Sequence, residues 1–315
     1  MIIRSIVSKE IDSFVGLGLG DADQKELKDL LINWWKEGRN KPEWCFIAEE
    51  DGKFIARVFY AVFPDNPQDL MAFGLYVDNV EAAKETGVRL ITESLDKMQN
   101  YKFNIAEYHI YFNPDKHFNE YRDIMLSSGF KITQEKKSFY WTGEPLPKES
   151  GRLEYKSLRE VGKDVFIEAI KIVTRQTLDG DDILIVEEVG EELAAEKEFN
   201  LLKGIDYNED WWKLAYVNGE LAGLIIPQKF SDKDGAINYI GVVPQKRGQG
   251  FVDDLLINGT ATLKEYGIEE VMGDIDKNNF PMEQALIRTG YKFRKPELVM
   301  KRDLKKQQNY FRTHK

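Results

Sequence analysis

The sequence predicts an α/β (α+β) chain made of two tandem copies of one domain. Three observations carry this: a weak internal repeat, a turn dipeptide at the same place in each copy, and a Pro/Gly-rich connector between them. The chain has 315 residues, long for one hydrophobic core, and chains of this size commonly divide into domains of about 150 residues.

The repeat is read first because it fixes the organisation. Glu43-Trp44-Cys45-Phe46-Ile47-Ala48 precedes Asp51-Gly52 and then Phe54-Ile55-Ala56; Asp210-Trp211-Trp212-Lys213-Leu214-Ala215 precedes Asn218-Gly219 and then Leu221-Ala222-Gly223. The spacing is 167 residues throughout (44 to 211, 52 to 219). Asp-Gly and Asn-Gly between apolar runs signal a two-residue hairpin, because a type I′ turn needs positive φ at both central positions. A second block matches Gly87 with Gly250, Ile105 with Ile268 and Glu107 with Glu270 at a spacing of 163. A third matches Ser128-Gly129-Phe130 with Thr289-Gly290-Tyr291 at 161. Each copy therefore reads hairpin, strand, helix, strand, helix, Gly-aromatic, strand. Thr142 to Gly151, rich in Pro and Gly, separates the copies. The expected domains are residues 1–145 and 150–304, with a polar C-terminal tail at 305–315.

Composition narrows the function. The net charge is −10, which argues against a nucleic-acid partner. A single cysteine, Cys45, excludes an intramolecular disulfide and Cys-rich metal sites, and three histidines leave little for a His-based metal site. No apolar run reaches the roughly 18 residues of a membrane span, and Met1 to Ser5 opens no signal peptide. The expectation is a cytoplasmic protein with no metal, no membrane and no nucleic acid, as monomer or homodimer.

Chemistry concentrates in one stretch. Ala236 to Pro244 reads as a strand, and Val252, Leu255, Leu256 and Leu263 recur at helical spacing. Between them lies Gln245-Lys246-Arg247-Gly248-Gln249-Gly250. A glycine turn opening a helix lets backbone N–H groups and the helix dipole meet an anion, with Lys246 and Arg247 adding charge beside it. The spacing fits neither a P-loop nor a dinucleotide fingerprint, since position 253 is Asp253.

Val242 to Gly250, Val-Val-Pro-Gln-Lys-Arg-Gly-Gln-Gly, resembles the acyl-CoA signature of the GNAT N-acetyltransferases. Asn279-Phe280-Pro281-Met282, Ala285 and Thr289-Gly290-Tyr291 resemble that family's second motif. The resemblance covers about residues 152–302. It implies two tandem GNAT-like domains, each a mixed, mostly antiparallel twisted sheet flanked by helices, and an acetyl-CoA-dependent N-acetyltransferase acting on a small amine. It also implies roles. Gln245, Arg247, Gly248, Gln249, Gly250 and Phe251 would form the pyrophosphate turn, its backbone N–H groups from Arg247 to Phe251 holding the phosphates. Ile240, Gly241, Val242 and Val243 would pair with the pantetheine arm, one of their N–H groups stabilising the oxyanion, and Asn279 would contact the same arm. The amine would attack the thioester directly.

The sequence departs from the family in two places. The position where the family often has a proton-donating tyrosine is Leu286; Tyr239 is the substitute candidate. The base is unassigned, and Asp274, sharing a face of its strand with Met272 and Asp276, is the candidate because a carboxylate inside an α/β core needs a reason. Asp179, Asp181 and Asp182 lie in the loop that lines the acceptor pocket in the family; they would attract a cationic amine, or else simply cap a turn. In the first copy Ala82, Glu85 and Gly87 stand where the second has Gln245, Gly248 and Gly250, so that copy is expected to keep the fold without binding CoA. A catalytically weak acyl-CoA-binding regulatory or scaffold protein is the alternative reading.

Overall fold

A computed structural model describes residues 1–64, 66–78, 82–111 and 118–305. Asn113 to His117 and the tail from 306 onward lie outside the described residues. Two compact units emerge: residues 1–133 with 297 onward, and residues 134–296.

The first unit runs β1 (Ile2–Ser5), α1 (Ile11–Val15), α2 (Asp21–Glu37), β2 (Cys45–Glu50), β3 (Lys53–Phe63), β4 (Asn66–Val77), α3 (Ala83–Met98), β5 (Ile105–Tyr111) and α4 (Phe118–Ser127). The chain then passes through β6 (Lys131–Trp141) into the second unit. That unit holds β7 (Glu154–Ser157), α5 (Leu158–Val161), α6 (Lys163–Thr174), α7 (Gly180–Val189), α8 (Glu191–Lys203), β8 (Lys213–Val217), β9 (Glu220–Lys229), β10 (Asp234–Val242), α9 (Phe251–Glu265), β11 (Glu270–Asp276) and α10 (Phe280–Arg288), before β12 (Lys292–Asp303).

Both predicted hairpins form with the expected backbone. Asp51 and Gly52 have φ of 49° and 75°, Asn218 and Gly219 52° and 79°, so β2–β3 and β8–β9 turn through left-handed pairs. In each unit the sheet is antiparallel except for one short parallel ladder. Leu70–Ala72 of β4 pairs with Ala106–Tyr108 of β5, and Asp234–Ala236 of β10 pairs with Glu270–Met272 of β11. A bulge follows in both: the β3–β4 ladder shifts at Gly74, which has φ 60°, and the β9–β10 ladder shifts at Asn238. The added residue bends the strand and ends parallel pairing, so the last residues of β10 leave β11 behind.

The connector-based boundary differs from the division into compact units. Residues 134–141 of β6 belong to the second unit, antiparallel to β11, with Phe139 and Trp141 in its core. Residues 297–303 of β12 belong to the first unit, antiparallel to β5, with Leu298 and Met300 in its core. Each copy thus gives its last strand to the other unit. Pro296, which has no N–H to donate, stands at the changeover in β12. Strand alternation fixes which side chains face a core, but it does not say whose core.

Helices pack on both faces of the second sheet. Leu255, Leu256, Gly259 and Leu263 of α9 are buried, and a Cβ on Gly259 would lie 2.8 Å from Ile225, so the glycine sets how closely α9 approaches. On the other face Phe166 of α6 and Phe199 of α8 close around Trp212 at 5.9 and 5.5 Å between ring centroids. Sequence reading left Asp179–Asp182 in a loop between helices; Asp179 instead caps a separate helix, its carboxylate accepting from the N–H groups of Asp181 and Asp182 at 3.0 and 3.1 Å.

Candidate functional site

The turn before α9 is built by two left-handed glycines, Gly248 (φ 75°) and Gly250 (φ 81°). Because the chain is turned here and not yet helical, the N–H groups of Gly248, Gln249, Gly250, Phe251 and Val252 have no acceptor among the described residues. Five consecutive outward N–H groups at the positive end of a helix form an anion cradle. The Arg247 N–H is not among them, since it donates to Pro244. A cavity of about 650 Å³ opens on this turn, walled by Ile240, Gly241 and Val242 of β10 and by Asn279, Pro281 and Met282 of α10. It follows the edge of β10 beyond the bulge, where pairing with β11 has ended at Ala236–Met272. Strand backbone there is open to a ligand in place of a neighbouring strand.

The structure sorts the predicted residues. Ile240, Gly241, Val242, Gly248, Gly250, Phe251 and Asn279 all line the cleft. Asn279 also caps α10, accepting from Met282 N–H at 3.3 Å. Val243 is buried with its N–H donated to Ala222, Gln245 is exposed, and Gln249 lies outside the cleft lining with its carbonyl bonded by Arg152. The Arg247 guanidinium does not reach for phosphate. It donates to the carbonyls of Val242, Val173, Arg175 and Gln176 at 2.7–3.1 Å, tying the α6–α7 connector to the end of β10. Lys246 pairs with Glu220 at 2.7 Å.

Asp274 is exposed rather than inside the core, and it lines no described cavity. It sits on β11 opposite Ser138 of β6, the strand that came from the first copy. Sequence reading had no sign of that partner. Leu286 is fully buried against Gly273.

Tyr239, on β10 at the bulge, aims its hydroxyl at α6 and α7. It lies 2.8 Å from Thr174 Oγ1 and donates to Asp182 Oδ2 at 3.2 Å. Burial, then the Asp182 charge, raises the phenol well above its ordinary range. Asp182 borders a second cavity of about 460 Å³ between α6, α7 and α8, together with Glu198 of α8. Burial and the Asp179 charge push the Asp182 carboxyl up to about 7. Burial and the Asp182 charge push Glu198 up to about 7. Of the other two aspartates, Asp179 is spent on the helix cap and Asp181 pairs with Lys136 at 3.6 Å. Glu198 escaped the sequence reading although a signal existed: with Glu191, Ala194, Ala195 and Leu202 it falls on the inward stripe of α8.

The first unit keeps the bulge and the short parallel ladder but not the cradle. Phe251, which opens α9, matches Val88 at the spacing of 163, yet α3 has already begun at Ala83. Glu85 and Gly87 lie inside that helix, and Thr86 N–H is bonded to Ala82. Beyond the ladder, tyrosines pack close to the β4 backbone. The Tyr76 ring packs on Gly18, where a Cβ would come within 2.1 Å, and the Tyr121 phenol approaches the Val77 backbone.

The fold is shared with solved structures of GCN5-related N-acetyltransferases, one of them a tandem GNAT protein. A GCN5-related N-acetyltransferase from Sphaerobacter thermophilus superposes with a TM-score of 0.64 at 16% identity, covering 96% of this chain and 95% of that one. A tandem GNAT protein from the clavulanic acid biosynthesis pathway gives a TM-score of 0.53 at 12% identity over 96% and 98% of the two chains. A glucosamine N-acetyltransferase region in a fungal multi-domain β-N-acetylglucosaminidase gives 0.60 at 12% identity, over 95% of this chain and 38% of that one. No protein-family profile and no curated protein sequence matches the chain. The likeness is one of fold. No described helix is long and apolar enough to cross a membrane, and no described group of acidic, His or Cys side chains could hold a metal ion.

Proposed function

We propose that this protein is an acetyl-CoA-dependent N-acetyltransferase whose second unit binds the donor and whose first unit does not. The observation that carries the reading is the cradle of five unpartnered N–H groups at Gly248–Val252, opening on a cleft along unpaired strand edge. The pyrophosphate is held by the cradle, and the pantetheine arm takes the place of a neighbouring strand beside Ile240–Val242. A β10 N–H supports the tetrahedral oxyanion. The amine attacks the thioester carbon directly; the C–N bond forms as the carbonyl electrons move to oxygen, and their return breaks the C–S bond, so that CoA leaves as the thiolate. Tyr239, held by Thr174 and Asp182 at the bulge of β10, is the candidate proton donor to the leaving thiolate. The buried Leu286 favours a second reading, an acyl-CoA-binding regulatory or scaffold protein with weak turnover.

Titration of acetyl-CoA by calorimetry, beside a Gly248→Glu variant, tests the first part. One site per chain that the variant loses is expected. Two sites would overturn the assignment to one unit, and no binding would overturn the acyltransferase reading. Release of free CoA with an amine panel then separates an enzyme from a binding protein.

A further inference from the structure

The cavity between α6, α7 and α8 plays no part in holding the donor. It adjoins the donor cleft, since Gln176 and Thr177 of the α6–α7 connector wall both. Ile170, Ile183, Val186, Ala194 and Ala195 give it an apolar wall, and Lys171, Arg175, Glu187 and Glu191 also border it. Its polar end is where Asp182 and Glu198 meet Thr174 and the Tyr239 hydroxyl.

The charges around that end are one-sided. Asp182 and Glu198 face Asp179 and Asp181 at the start of α7, and Tyr239 from β10. The cations nearby are already paired: Lys171 and Arg175, which line the cavity, with Glu168 and Glu192 and with Glu191, and Lys136 with Asp181. Among the described residues Glu198 has no hydrogen-bond partner and no cation, and Asp182 has only hydroxyls. Two half-buried carboxylates without a counter-charge are costly unless something positive completes the site.

We propose that this cavity receives the acceptor, and that the acceptor is a primary ammonium carried on an apolar alkyl or aryl body. The ammonium sits between Asp182 and Glu198, and the apolar body lies along α7 and α8. An acceptor with its own carboxylate beside the amine is disfavoured, because that charge would sit against Asp182 and Glu198. In the reaction, which rests on the acyl-transfer reading, the Glu198 carboxylate takes one ammonium proton. The freed amine lone pair forms the C–N bond. When the intermediate collapses, its nitrogen gives up a second proton, which neutralises the departing CoA thiolate. The third remains on the amide, and Glu198 returns its proton to solvent.

The test uses the full chain and 2-phenylethylamine, with 2-phenylethanol and phenylalanine as matched probes lacking the charge or adding a carboxylate. Calorimetry is run on the protein alone and on its CoA complex, for wild type, Glu198→Gln and Asp182→Asn. The ammonium is expected to bind, each variant to weaken it at least tenfold, and the alcohol and the amino acid to bind at least tenfold more weakly. Acetyl-CoA affinity is expected to stay within twofold in both variants, which separates this site from the cradle. With turnover, Glu198→Gln is expected to raise KM for the amine and to flatten the rise of kcat between pH 6 and 8. Equal binding of the amine by wild type and variants, or of amine and alcohol, would overturn the proposal and leave the donor site standing. Loss of acetyl-CoA binding with ammonium binding intact would overturn the reaction and leave the cavity assignment standing.

Discussion

The two units share a scaffold down to a single bulged residue, Gly74 in one and Asn238 in the other, yet only one offers an anion site. The difference is where a helix starts. In the second unit two left-handed glycines delay α9, and its leading N–H groups point outward unpaired. In the first, α3 starts earlier, and the corresponding stretch uses its N–H groups on its own carbonyls. The strand end below differs too, bordering a cleft in one unit and approached by Tyr121 in the other. The run of unpaired N–H groups therefore depends on withholding one helical turn, and the scaffold survives without it.

The largest expected effect makes the second unit resemble the first. Gly248→Glu puts a carboxylate at the cradle and a Cβ on backbone at φ 75°. We expect acetyl-CoA affinity to fall at least a hundredfold, about 3 kcal/mol, in the titration above. A loss smaller than tenfold would mean that the turn is not where the phosphates bind.

Arg247→Ala comes next. Four carbonyls lose their donor, and the connector common to both cavities loses its tie to β10. Unfolding of the second unit should become easier by about 2–3 kcal/mol in urea, with acetyl-CoA binding several-fold weaker. Unchanged urea midpoints would show the clamp to be redundant.

The first unit has its own tie. His109 of β5 lies 2.6 Å from Glu107 and 2.5 Å from Glu297 of β12. Burial alone would lower its pKa, but the hydrogen bonds to Glu107 and Glu297 outweigh that and raise it from 6.5 to about 9. A group raised on folding stabilises fully below its unfolded pKa, and that contribution is lost as pH climbs through the folded value. The first unit should thus lose about 2 kcal/mol between pH 6.5 and 9, visible in exchange of the β5 amides. His109→Gln should abolish this slope; a slope unchanged in the variant would assign it to other groups.

The smallest effect is the reverse copy. Glu85→Gly places the cradle's residue type in the first unit, but inside a formed helix whose N–H groups are already bonded. We expect a cost of about 1 kcal/mol or less and no second acetyl-CoA site. A second site would mean that Glu85 alone silences this unit.

Much of this was legible in the residues. Asp51-Gly52 and Asn218-Gly219 located both hairpins, and Gly248 with Gly250 located the turn, because positive φ is a local demand that few residue types meet. What escaped was non-local. Nothing near Arg247 says that its guanidinium turns back onto the α6–α7 connector. Asp274 looked like a core carboxylate because the strand set beside it, β6, is supplied by the other copy. Glu198 lay on a buried stripe in plain view, but its meaning needed Asp182 and Tyr239, which only folding brings near.

The exchange of last strands has a consequence for how the molecule is made. On the ribosome residues 1–133 emerge well before the strand that completes their sheet, residues 297–303. The contact of His109 with Glu297 closes a separation of 188 residues. A nascent first unit must therefore wait with the β5 edge unpaired, the kind of exposed strand that invites wrong partners. Cutting the gene at the Pro/Gly connector would not yield two independent proteins, because each product would keep a strand belonging to the other.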